Sequence, residues 1–282
     1  MVNGGQTLSA LYLAYDRQGR PDNPAKVLVR IYRLPYEDSE TYQRSIEIIA
    51  ALNSQNKIQA SDLRSTDPRQ VRLEQLLAKV GDYGYIRKRS TDSRAGRYQI
   101  SMRNLALPYY VCKKNMPHEG VRRNVEELFE EQNKYDEVFN ESAINQELKF
   151  NHVALNYVTV WTIDQLLGRV ELPNRDWEYW KYTRWFVLVD VYRKLIDWRQ
   201  SRFGLSWRDW VEFLNSDYFE KVVIKYGQAM FKAAREMIPK QEEALAFFRK
   251  AETVAKFAGR SRIRLFEALM KKAYARFEED TR

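Results

Sequence analysis

Apolar positions along the chain change their rhythm near Asn104. Before it, short helical stripes alternate with β-type runs. After it, the 3.6-residue spacing of helices prevails. Leu8, Leu11, Tyr12 and Tyr15 fall at i, i+3, i+4 and i+7 and predict a helix, with Thr7 placed to cap it. Gly19, Pro21, Asp22, Asn23 and Pro24 gather in one stretch and predict a loop. Lys26–Leu34 reads KVLVRIYRL, a β-branched and apolar run that predicts a buried strand. Glu40–Leu52 predicts a helix with Tyr42, Ile46, Ile49 and Ala50 on one face, and Asn53 continues that face.

Asp67-Pro68-Arg69-Gln70 supplies an N-cap, a proline at the first helical position and a glutamine three residues after the cap. Val71, Leu73, Leu76, Leu77 and Val80 form the apolar side of the helix this predicts, and Gly81 is its stop. Tyr83–Arg89 and Arg97–Met102 read as two strands joined by the polar loop Ser90–Gly96, a basic hairpin. The predicted fold class is α+β: a small mixed α/β N-terminal part followed by a mainly helical C-terminal part. The division is placed at residue 140, with 1–140 the α/β segment and 141–282 a helical, tryptophan-rich domain.

Charge and composition narrow the function classes. The chain carries a formal net charge of +9, which favours polyanionic partners, nucleic acid above all, although many basic proteins never touch one. The one cysteine, Cys112, excludes an intrachain disulfide framework and a cysteine zinc cluster. His118 and His152 are the two histidines, and neither lies in a metal-ligand spacing. No metal site is predicted, and no cofactor is named by any motif. Trp185–Val191 is the most apolar run, but it is far too short to span a membrane and contains Asp190. Without a span or a secretory signal, a cytoplasmic location is expected.

Two elements carry candidate ligand chemistry. In Asn3-Gly4-Gly5-Gln6-Thr7, two glycines allow close backbone approach and the following helix start offers unpaired N–H groups, a setting for a phosphate. An ordinary capped turn has the same pattern. In Asn53-Ser54-Gln55-Asn56, the amide and hydroxyl side chains either cap their own helix or brace the N-terminal turn and read a bound ligand.

In this order the two elements resemble the AIPR family of abortive-infection phage-resistance proteins, with Asp62-Leu63, Leu128-Phe129 and Tyr135-Asp136-Glu137-Val138-Phe139 fitting its downstream pattern. The resemblance covers roughly residues 2 to 140. It implies an antiviral defence role and a ligand site at Asn3, Gly4, Gly5, Gln6, Thr7, Asn53, Gln55 and Asn56. The layout is also distantly similar to the DGQQR-type motif of restriction-associated ParB-like domains, in which such a turn contacts nucleotide phosphates. Asn3, Gly5 and Thr7 stand where that motif has an acidic residue, a glutamine and an arginine. Phosphate binding is therefore carried over and Asp-dependent hydrolysis is not. AIPR proteins have sequence before this motif, so the site is expected to lack its lead-in strand or to be completed by another chain, such as a second copy.

A second candidate is the basic strand. Tyr83, Tyr85, Arg87 and Arg89 alternate onto one face, where Tyr85, Arg87 and Arg89 suit base stacking and phosphate contact. A guarded edge strand has the same composition. The aromatics of Trp177–Trp185 read as bundle packing. Asp62, Asp67 and Asp82 form no nuclease constellation with a lysine. The expected function is a defence protein that binds a nucleotide or nucleic-acid phosphate. Two alternatives stand beside it: an NTP-hydrolysing or DNA-processing component of a restriction-like system, and a non-enzymatic helical module that binds a partner.

Overall fold

A computed structural model describes residues 59–88, 96–173, 176–201, 206–237, 241–258 and 263–281. The chain divides into two compact units, Met1–Gln59 and Ala60–Arg282, and apart from Gln59 the described residues belong to the second. That unit is α+β, as expected. It begins with α1 (Ala60–Leu63) and α2 (Pro68–Leu77), followed by strands β1 (Tyr83–Ile86) and β2 (Tyr98–Ser101). Helices then run to its end: α3 (Met102–Lys114), α4 (Pro117–Arg122), α5 (Glu127–Glu130), α6 (Gln132–Val138), α7 (Glu141–Ile144) and α8 (Val153–Leu167). They continue as α9 (Trp177–Gln200), α10 (Trp207–Leu214), α11 (Asp217–Met237), α12 (Gln241–Phe248), α13 (Glu252–Ala258) and α14 (Ile263–Thr281).

The predicted helix after Asp67 forms where its cap and proline place it. The Asp67 side chain accepts the Arg69 backbone N–H at 2.8 Å, and Pro68 occupies the first turn, where an N–H would have no partner. Leu73, Leu76 and Leu77 are buried, while Val71 is half-buried. Gln70 does not reach back to the cap as a capping box would have it. It points into the core.

The two strands are shorter than predicted, and their pairing differs. They are parallel, with Tyr83 opposite Tyr98 and Ile86 opposite Ser101, so the expected hairpin is corrected. Gly96 makes the pairing feasible: it holds φ +126°, and a Cβ there would lie 2.7 Å from the Gly84 nitrogen. Met102, read as the end of a strand, opens α3, because the Ser101 side chain accepts the Asn104 N–H and starts the helix.

Helices α8 and α9 are buried on most sides, which is why neither shows a clean amphipathic stripe. The apolar run Phe186–Val189 lies inside the core, with Phe186 against Phe248 and Phe257, while α9 as a whole packs on α3, α4, α8 and α11. Polar groups in α8 find local partners: the Thr159 hydroxyl donates to Leu155 O at 2.7 Å and accepts Trp210 Nε1 at 3.2 Å. The interior is continuous across position 140, since the Tyr157 hydroxyl of α8 donates to Val138 O at 2.7 Å. Most tryptophans pack as the sequence implied. Trp180 and Trp210 are fully buried, whereas Trp177 is 50% exposed. No helix among the described residues is long and apolar enough to cross a membrane.

Candidate functional site

Most residues of the predicted ligand site lie outside the described residues: Asn3, Gly4, Gly5, Gln6, Thr7, Asn53, Gln55 and Asn56, together with Arg89 of the basic strand. Tyr85 and Arg87 are described. Tyr85 is 2% exposed, and its hydroxyl donates to Gln70 Oε1 at 2.5 Å. A base needs an uncovered ring face, which Tyr85 does not present. The Arg87 guanidinium donates to Glu74 Oε2 at 2.7 Å and to Ser65 O at 2.5 Å, so it fastens β1 to α2.

The described residues hold a different cluster, centred on Tyr135 of α6. Gln70 Nε2 donates to the Tyr135 hydroxyl at 2.8 Å, which makes a buried chain from Tyr85 through Gln70 to Tyr135. Two guanidinium carbons lie over the Tyr135 ring, Arg64 at 4.4 Å and Arg69 at 4.5 Å from its centroid. Arg64 also donates to Phe129 O at 3.0 Å and to Gln132 Oε1 at 2.9 Å. Arg69 joins Asp67 at 2.9 Å and Asp136 at 2.5 Å. Phe129, Tyr135 and Phe139 form an aromatic layer beneath, with ring centroids 5.1 to 6.1 Å apart.

Electrostatics make this cluster a lock. Burial opposes the charge on Asp67, but hydrogen bonds and charge from Arg69 outweigh it and hold the carboxyl below its ordinary value. A hydrogen bond from Arg69 does the same for Asp136. Burial pushes the Tyr135 phenol up, so it stays protonated. Every named charge has a partner, and the cluster contains no activated nucleophile. No group of three or more His, Cys, Asp or Glu side chains that could hold a metal exists among the described residues. What the arrangement does is fix α5 and α6 against α1, α2 and β1, and so set the start of the unit.

Sequence reasoning singled out Tyr135 and Asp136 only as part of a family pattern, and read Arg69 and Gln70 only as helix-start residues. Arg64 was not singled out. The available signal was a polar Gln70 on the same helical face as Leu73 and Leu77, which marks a buried hydrogen-bonding position. Its partner, 65 residues further along the chain, has no local signature.

No curated protein and no solved structure matches the chain. The AIPR protein family matches residues 1–198. That span includes the Asn3–Thr7 turn, the Asn53–Asn56 element, the Tyr135 cluster and α9 almost to its end. The chain belongs to the AIPR protein family.

Proposed function

We propose that this protein acts in abortive-infection defence against phage and binds a nucleotide or nucleic-acid phosphate at Asn3, Gly4, Gly5, Gln6 and Thr7, with Asn53, Gln55 and Asn56 beside them. The observation that carries this reading is the family match, which runs continuously through both elements in order. Family membership supports the defence role. The ligand class rests on the physics of a glycine turn opening a helix, which favours an anion. The likeness to DGQQR-type ParB-like domains supports phosphate contact in the same way. Asn3 in place of an acidic residue supports binding without hydrolysis.

The test uses the full chain. A labelled oligonucleotide and labelled ATP are titrated at two salt concentrations, and cells carrying the gene are challenged with phage. Binding should weaken as salt rises. Gln6→Ala should weaken it by roughly tenfold or more, about one hydrogen bond to a charged group, and should lift protection in cells. ATP turnover lost in Gln6→Ala would instead establish the NTP-hydrolysing reading. Protection without binding to either probe would establish the partner-binding module. For the basic strand, Arg89→Ala is the informative variant for nucleic-acid contact, because Arg87 fastens β1 to α2.

A further inference from the structure

Arg199 lies near the C-terminal end of α9 and is 3% exposed. Its Nη2 donates to Asn156 Oδ1 of α8 at 3.1 Å. Nε and Nη1 are enclosed and have no hydrogen-bond partner among the described residues. The guanidinium carbon lies 5.2 Å from the Phe150 ring centroid and 5.7 Å from that of Trp210. Among the described residues no carboxylate pairs with it. Other part-buried arginines differ: Arg69, Arg87, Arg123 and Arg184 each meet an Asp or Glu.

An arginine cannot shed its proton to escape burial, as a lysine can. A buried cation without a counter-charge is strongly disfavoured, and aromatic faces offset only part of that. The unmet need is an oxygen acceptor carrying negative charge at Nε and Nη1. We propose that Arg199 anchors a buried oxyanion site that takes a carboxylate or phosphate group. Trp210 forms its inner wall, held by its Nε1 bond to Thr159 at 3.2 Å. Phe150 forms the outer wall. Phe150 is half-buried in the turn between α7 and α8, so this wall lies nearer the surface than Trp210. None of these residues belongs to the proposed ligand turn at Asn3–Thr7.

Full-length protein is titrated with sodium phosphate and, separately, with sodium acetate at fixed pH and ionic strength, following tryptophan emission and Tm. All seven tryptophans lie between Trp161 and Trp210, so emission reports on this part of the sequence. A saturable change in emission with a rise in Tm is expected. A response to phosphate alone assigns a phosphate group, and a response to acetate assigns a carboxylate. Arg199→Met should abolish the response, whereas Gly5→Val should retain it. Wild-type protein silent to both anions overturns the proposal. So does Arg199→Met that still responds, or a response lost in Gly5→Val instead. Should Arg199→Met not fold, Phe150→Trp places a reporter ring against the guanidinium, and emission from it that neither anion changes also overturns the site.

Discussion

Gln70 of α2 and Tyr135 of α6 are joined by a buried hydrogen bond of 2.8 Å, amide nitrogen to phenol oxygen. The same amide accepts the Tyr85 hydroxyl at 2.5 Å, so one side chain ties three elements together where water does not reach. Removing one partner leaves the others unsatisfied. Tyr135→Phe should lower unfolding stability by about 1–3 kcal/mol, the cost of a buried polar group left unmade. Urea denaturation followed by circular dichroism measures it. An unchanged midpoint would show that the bond adds nothing to stability.

Gly120 of α4 lies against the indole of Trp185, and a Cβ there would stand 2.3 Å from Trp185 Cδ2. The indole is half-buried and packed against the core, and all three of the nearest atoms to that Cβ belong to its ring. Gly120→Ala should destabilise by about 1–3 kcal/mol through overpacking. In the double variant Gly120→Ala with Trp185→Ala the clash is gone. The two losses should therefore sum to more than the double variant loses. Additive losses would argue that no such clash exists.

His152 caps α8 as a neutral ring. Its Nδ1 accepts the Ala154 N–H at 3.0 Å, and Nε2 faces Gln146 O at 3.2 Å. Burial depresses its pKa below 6.5, and the hydrogen bond to Gln146 only partly compensates. The unfolded chain therefore takes up a proton that the folded chain resists. Folding stability from this residue is full above pH 6.5 and falls as pH drops below it. His152→Asn keeps a good N-cap and should flatten the slope below pH 6.5. His118, whose pKa burial also depresses, adds a slope of the same sign. Denaturation midpoints across that range decide it, and a slope unaltered in His152→Asn counts against the cap.

Cys112 is buried on α3, and burial pushes its thiol well above the ordinary value. A thiol without thiolate character is a poor nucleophile. Native protein should leave a thiol reagent such as DTNB unconsumed for hours, while denatured protein should release one equivalent at once. Prompt release from the native state would place Cys112 at the surface.

Local chemistry made part of this fold legible. The Asp67 cap, Pro68 and the leucines that follow determine α2, because caps, proline geometry and helical periodicity act within a few residues. The burial of the tryptophan-rich helices was equally plain. The hairpin was not. Tyr83–Ile86 and Tyr98–Ser101 carry the composition of strands, but strand direction depends on the route of the chain and on where Gly96 lets the backbone pass.

The candidate site divides in the same way. The glycine turn and the Asn53–Asn56 element are recognisable as motifs, and the family match contains both. They lie outside the described residues. Gln70 shows why the rest was hidden: its partners Tyr85 and Tyr135 come from distant segments, and a hydrogen bond carries no mark in either sequence.

By itself, then, the sequence determined the family, the α+β class and the helices whose starts and apolar faces are written locally. Tertiary structure decided the parallel strand pair, the enclosure of Tyr85 and Arg87, the lock around Tyr135 and the isolation of Arg199. Each of those depends on desolvation and on which groups meet across the fold, and burial is a property of the packed whole rather than of any one segment.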